Sequence, residues 1–237
     1  NDGDYDVLFV SETVDTTIFL YYENIGSSVN PIFDDPVINP FGLTTINSFI
    51  IPSFADMDND GDFDIISTTL NGNFLYYKNV GSSSNPQFSN YQLNPFGLGP
   101  ANISDLFSTI PDVADFDGDG DFDLLAFNRS YTSNILTYIE NVGTINTPNF
   151  ETVAFTTPLN FTLNDDETAL LESADIDGDG DIDVFLNFYD FQNPYEGSQT
   201  YYFENLNVVN VSEVLESASN LVVFPNPAQD FLTIRSS

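Results

Sequence analysis

Apolar residues along this chain fall in short runs, among them "FIIPSFAD" (49–56), "DIISTTL" (64–70) and "NFLYYKN" (73–79), all rich in Ile, Phe, Tyr and Thr. Gly, Asn, Ser and Pro separate them, which is the pattern of strands joined by turns. Helical periodicity is not convincing anywhere. Runs such as "DVFLNF" (183–188) are apolar without strict alternation, as expected of strands covered on both faces.

Two markers recur in a fixed order. The first is acidic: "NDGDYDVLF" (1–9), "ADMDNDGDFDIIS" (55–67), "ADFDGDGDFDLLA" (114–126) and "ADIDGDGDIDVFL" (174–186). Their last aspartates, Asp6, Asp64, Asp123 and Asp183, are 58, 59 and 60 residues apart. The second follows each run: "YYENIGSSVNPIF" (21–33), "YYKNVGSSSNPQF" (76–88), "YIENVGTINTPNF" (138–150) and a shortened "YFENLN" (202–207). Two markers at one period define an internal repeat. A repeat of this length, holding roughly four short strands, has the size of one propeller blade. A stack of β-sandwich modules is disfavoured, because a sandwich needs about 100 residues and seven strands. The fold class expected is therefore all-β, a β-propeller, with blades near 1–50, 51–108, 109–168 and 169–206. The first run starts partway through its pattern, so the sequence is expected to be a fragment of a longer protein.

Charge narrows the chemistry. Against 37 acidic residues stand three basic ones, Lys78, Arg129 and Arg235, for a formal charge of -34. Nucleic acid, which demands a basic footprint, is not an expected partner. Cysteine and histidine are absent, which excludes disulfides, zinc sites of the usual kinds, Ser-His-Asp triads and Cys nucleophiles. No apolar stretch reaches the ~18 residues of a membrane span, so the chain is not expected to cross a membrane.

Like charge at alternate positions needs a cation. Carboxylates are ionised at neutral pH and repel one another at this density. Calcium is the natural counter-ion, since it takes roughly six to eight oxygen ligands. Counting each run from its first aspartate, side-chain oxygens fall at positions 1, 3, 5 and 9, and Gly at position 6 permits the sharp turn. Position 7 is expected to offer its backbone carbonyl, leaving its side chain to face solvent or an outer partner. The candidate ligands are Asp56, Asp58, Asp60, Asp62 and Asp64 around Gly61; Asp115, Asp117, Asp119, Asp121 and Asp123 around Gly120; and Asp175, Asp177, Asp179, Asp181 and Asp183 around Gly180. The first repeat keeps Asp2, Asp4 and Asp6, a partial site beside three complete ones. An EF-hand fails, because position 12 is Ser67, Ala126 and Leu186 rather than Glu and the flanks are strand-like. Magnesium prefers a compact octahedron with retained water and suits these loops less well. Eighteen of the 37 acidic residues lie in the four runs, so metal binding accounts for much of the net charge.

The order Ala-Asp-x-Asp-x-Asp-Gly-Asp-x-Asp, an apolar strand and then "YYxNxGxxxxPxF" resembles the FG-GAP or VCBS-type repeats of calcium-binding β-propellers, the architecture also found in the integrin α-subunit head. The resemblance covers residues 1 to about 206. It implies calcium loops that join adjacent strands of a blade and blades that commonly number about seven, of which about four are present, so that the remaining blades are expected upstream. Residues 207–219 read as a linker. The tail at 220–237, with "LVVFPNPAQDFLTIRSS" (221–237), sets a Pro-Asn-Pro turn between two apolar strands and resembles the start of the C-terminal sorting domain of the type IX secretion system, a small β-sandwich-like domain used by Bacteroidetes. That second resemblance implies a cargo of the type IX translocon and its outer-membrane shuttle, located outside the cell or on its surface.

Every recurrent polar feature is accounted for by metal binding and none by catalysis. The function expected is a secreted or surface-displayed module that binds a glycan or a surface protein, not an enzyme. The alternative is a polysaccharide lyase or hydrolase using carboxylates outside the loops, such as Glu140, Asp165, Asp166, Glu167, Asp190 and Glu204, though nothing in the sequence marks such a pair. Tyr21, Tyr22, Tyr76, Tyr77, Tyr138, Tyr201 and Tyr202 recur at one place in the repeat and are expected to pack the blades rather than to stack on sugar.

Overall fold

Each acidic run becomes the connection between two antiparallel strands. The computed structural model describes residues 4–12, 16–44, 48, 50–100, 106–130, 134–158, 167–176, 178–190, 199–203, 205, 223–225 and 231–233. Strands β1 (Val7–Glu12), β2 (Thr17–Tyr22) and β3 (Val37–Ile38) form the first meander. The second is β4 (Ile50–Ala55), β5 (Asp64–Thr69), β6 (Phe74–Tyr77) and β7 (Gln92–Leu93). The third is β8 (Leu106–Ala114), β9 (Asp123–Ser130), β10 (Asn134–Asn141) and β11 (Phe150–Pro158). The fourth is β12 (Glu167–Ala174), β13 (Asp183–Asp190) and β14 (Gln199–Phe203). In the tail, β15 (Val223–Pro225) pairs antiparallel with β16 (Phe231–Thr233), the two strands expected around the Pro-Asn-Pro turn. The linker expected at 207–219 lies outside the described residues.

Successive sheets stack face to face, and their first strands are neighbours: β4 lies beside both β1 and β8, and β8 beside β12. Between each pair of sheets is a layer of core. Phe19 packs with Ile50, Ile65, Leu75 and Tyr77 between the first and second sheets. Ile66, Phe74 and Tyr76 meet Leu124, Ala126 and Ile139 between the second and third. Leu125, Phe127 and Leu136 meet Leu171, Val184, Leu186 and Phe203 between the third and fourth. Neighbouring residues of one strand thus serve opposite layers, Ile65 one and Ile66 the other. Alternation of side chains across a strand turns a continuous apolar run into two buried faces, and each fully buried side chain of this size contributes about 1.5–3 kcal/mol. The architecture is all-β and β-propeller-like.

A second recurrence, "NPFG" at 39–42 and 94–97, fastens one sheet to the next. Asn39 and Asn94 take the left-handed conformation (φ 49° and 48°), and their side-chain carbonyls accept from the backbone N–H of Phe19 and Phe74. The carbonyls of Phe41 and Phe96 then accept from the N–H of Phe88 and Phe150, each 2.7 Å away in the following repeat. At Gly42 (φ 82°) and Gly97 (φ 84°) a Cβ would come 3.0 Å from the carbonyls of Phe88 and Phe150, so the close approach requires glycine.

Candidate metal centres

Each acidic run hangs between a fixed pair. Ala55, Ala114 and Ala174 lie opposite Asp64, Asp123 and Asp183 in the strand registers, so the loops 56–63, 115–122 and 175–182 close the hairpins β4–β5, β8–β9 and β12–β13. This is the placement implied by the sequence resemblance.

The aspartate at position 9 ends the loop and begins the second strand, where it is buried and fully engaged. Asp64 accepts from the Tyr76 hydroxyl (2.7 Å) and the Asn79 N–H (2.7 Å). Asp123 does the same with Tyr138 (2.8 Å) and Asn141 (2.8 Å), and Asp183 with Tyr202 (2.9 Å) and Asn205 (2.9 Å). Even the first repeat keeps the pattern, Asp6 accepting from Tyr21 (2.9 Å) and Asn24 (2.8 Å). This aspartate clamps the acidic marker to the "YxxN" of the second marker. The asparagine continues the chain of bonds: the side-chain oxygens of Asn24, Asn79 and Asn141 each accept two backbone N–H groups of the turn that follows. Tyr76, Tyr77 and Tyr138 are buried in the layers between the sheets, as expected, and Tyr76 and Tyr138 also carry a polar task that repetition alone did not disclose. Phe41 and Phe96 of the NPFG turns cover the clamp tyrosines edge-on, at centroid distances of 4.8 Å to Tyr21 and 4.9 Å to Tyr76.

Ahead of the clamp, the loop is wound by its own carboxylates. Asp56 accepts from the N–H groups of Asp60 and Gly61, and Asp115 from those of Gly118 and Gly120. Asp117 and Asp119 each accept from the N–H two residues on. The expected turn at position 6 is present, with φ of 94°, 97° and 99° at Gly61, Gly120 and Gly180. Position 4 is left-handed as well, filled by Gly118, Gly178 and Asn59, and Asn is among the few other residues that tolerate that region.

This winding gathers oxygens. Asp56, Asp58 and Asp60 present carboxylate oxygens within 4.8 Å of one another, as do Asp115, Asp117 and Asp123. Of the other expected ligands, Asp4, Asp6, Asp119, Asp175, Asp179 and Asp183 lie in the runs where the sequence places them, while Asp2 and Asp177 lie outside the described residues. The sequence leaves position 7 between two alternatives, and burial excludes one of them. Its side chain does not face solvent: Asp62, Asp121 and Asp181 are 8%, 8% and 9% exposed, because the left-handed glycine before them turns the side chain back under the loop. The Oδ1 atoms of Asp62 and Asp121 are buried with no hydrogen-bond donor.

Burying so much like charge shifts its titration. Burial, chiefly, pushes Asp123 up to about 7, against the lowering effect of its bonds from Asn141 and Tyr138. Asp64 is pushed to about 6, again chiefly by burial. Asp117 and Asp121 rise to about 6 by burial and by repulsion from neighbours that include Asp119, Asp115 and Glu140. Asp62 rises by burial and by the charges of Asp60, Asp56 and Asp58, but there Lys78 opposes the rise. The Lys78 ammonium is ion-paired with Asp58 and lies 3.3 Å from Asp60. A buried carboxylate oxygen without a donor, among other carboxylates held above their ordinary range, is an arrangement that a hard cation relieves.

Beside the first complete loop a cleft of about 400 Å³ opens between the first two sheets, lined by Asp4, Asp6, Tyr21, Phe41, Asp56 and Phe63 among others. Among the described residues no helix is long and apolar enough to cross a membrane. No curated protein matches the chain. Residues 56–126, which span two successive acidic loops and the sheet between them, match the FG-GAP-like repeat family, a match that supports the β-propeller assignment for this part of the chain.

Proposed function

We propose that the chain is an extracellular, calcium-binding ligand-recognition module of the β-propeller type. The observation that carries the metal reading is the pair of donor-less oxygens on Asp62 and Asp121, each on a buried side chain that feels the charge of other carboxylates of its loop. Calcium would be held by the aspartates of the 56–64, 115–123 and 175–183 loops, with the partial first run contributing Asp2, Asp4 and Asp6. It would supply the positive charge that lets the loop stay wound at neutral pH. In this reading the position-7 carboxylate joins the ligands through its side chain as well as its carbonyl.

The role is binding rather than catalysis. The cleft between the first two sheets pairs aromatic faces with carboxylates, a lining suited to a glycan or a polar protein segment. Export as a type IX secretion cargo of a Bacteroidetes-type bacterium, through the translocon and outer-membrane shuttle, is supported by the tail's likeness to that system's sorting domain. Calcium titration by calorimetry after chelator stripping tests the metal reading, with micromolar to millimolar binding at the loops as the supporting result and no heat as the refuting one. A glycan and surface-protein array probed in calcium and in chelator tests the recognition role. Hits that vanish with chelator support it, while cleavage of a polysaccharide panel would move the chain to the enzyme class.

A further inference from the structure

Resting on the calcium reading above, we propose that Lys78 is a built-in counter-cation of the 56–64 loop, so that this loop binds calcium more weakly than the 115–123 loop. The second marker holds Glu23, Glu140 and Glu204 at one place in three repeats and Lys78 at that place in the remaining one. The position is the last before the clamp asparagine, two residues past the tyrosine that bonds the position-9 aspartate. From it the Lys78 ammonium reaches Asp58 and Asp60, two of the three carboxylates that converge in that loop. In the next repeat Glu140 adds a negative charge beside Asp117 and Asp121.

The consequence is electrostatic. A divalent cation entering the 56–64 loop must displace or share the ammonium, and it meets one net charge less than the aspartates alone would give it. The same ion entering the 115–123 loop meets an additional carboxylate. Calcium affinity follows the charge count of the site, so the difference falls in the direction of a weaker first loop. Lys78 would also keep the 56–64 loop wound without an ion.

The test uses the full 237-residue chain carrying Asp117→Asn and Asp177→Asn, which disables the other complete loops. Calcium titration by calorimetry then compares Lys78, Lys78→Met and Lys78→Glu. The expected result is calcium binding about tenfold tighter with Met and tighter again with Glu. A second readout is the melting temperature of the otherwise unaltered chain. Lys78→Met should lower it in chelator, and the deficit should close in millimolar calcium. Equal affinities, or the same change in melting temperature in both conditions, would sink the Lys78 assignment and leave the calcium reading standing. An unaltered chain that takes up no calcium at all would sink the calcium reading and this inference with it.

Discussion

The loops at 56–64 and 115–123 carry aspartates at the same five positions and glycine at the same sixth, yet they face opposite neighbours. Lys78 is ion-paired into the first, whereas Glu140 adds its charge to the second. The spacing of ligands sets which oxygens can converge; the strand that follows sets the charge they converge in. Behind both loops the clamp is the same, Asp64 with Tyr76 and Asn79 in one, Asp123 with Tyr138 and Asn141 in the other. The repeat is therefore constant where it holds the fold and variable where it meets an ion.

The largest effect should come from breaking the constant half. Asp123→Ala leaves a buried tyrosine hydroxyl and a buried backbone N–H without an acceptor, and each such orphan costs about 1–3 kcal/mol. A loss of about 3 kcal/mol or more in urea unfolding is expected. Asp6→Ala removes the equivalent clamp where Asp6 is exposed and water can replace the bonds, and should cost about 1 kcal/mol or less. Equal losses at the two positions would mean that the clamp is not what stabilises the repeat.

Removing the ion comes next. A ligand present at a hundred times its dissociation constant stabilises the folded state by about 2.7 kcal/mol. Chelation should lower the melting temperature accordingly, and Asp121→Asn should blunt that response more than Asp62→Asn, since Lys78 already serves the loop of Asp62. Equal blunting would erase the difference between the loops.

Most of the fold was legible in the sequence because a repeat displays its own alignment. The period, the strands "DIISTTL" and "NFLYYKN", and the left-handed Gly61 and Gly120 followed from recurrence alone. The double engagement of Asp64 and Asp123 was not legible: an aspartate in an acidic run reads as a ligand, and only the register that sets it opposite Ala55 or Ala114 brings Tyr76 or Tyr138 to it. The sequence left the position-7 side chain between solvent and an outer partner, and the positive φ before it turns that side chain in. The NPFG turns were in plain view as a recurrence at 39 and 94. Their task crosses from one sheet to the next, which no local pattern states.

In chelator, pH should separate the loops from the rest of the molecule. Asp123 near 7, and Asp64, Asp117 and Asp121 near 6, all exceed the value of about 3.9 for an unfolded aspartate, so the folded chain binds more protons in that window. The stability that these groups contribute without calcium should therefore be fully present below about pH 4 and be lost as pH rises through 6 and 7. In saturating calcium the trend should reverse, because protons then compete with the ion for the same oxygens. Asp112, pushed up to about 6 chiefly by burial at the third and fourth sheets, lies outside the loops, and its share of the slope should persist in calcium. Asp112→Asn removes that share and so measures it.

The smallest effect should come from Glu140→Gln, and it is the cleanest complement to Lys78. The substitution keeps the length of the side chain and removes one charge that acts on Asp117, Asp121 and the Tyr138 hydroxyl. If the facing residue sets the affinity through charge, calcium binding at the 115–123 loop should weaken by a few-fold, and the chelated protein should become slightly more stable as repulsion falls. A residue that mattered by packing alone would lower stability in both conditions. The opposite signs expected in calcium and in chelator are thus the mark of a charge acting on an ion site, whereas at Lys78→Met a deficit in chelator should close in calcium.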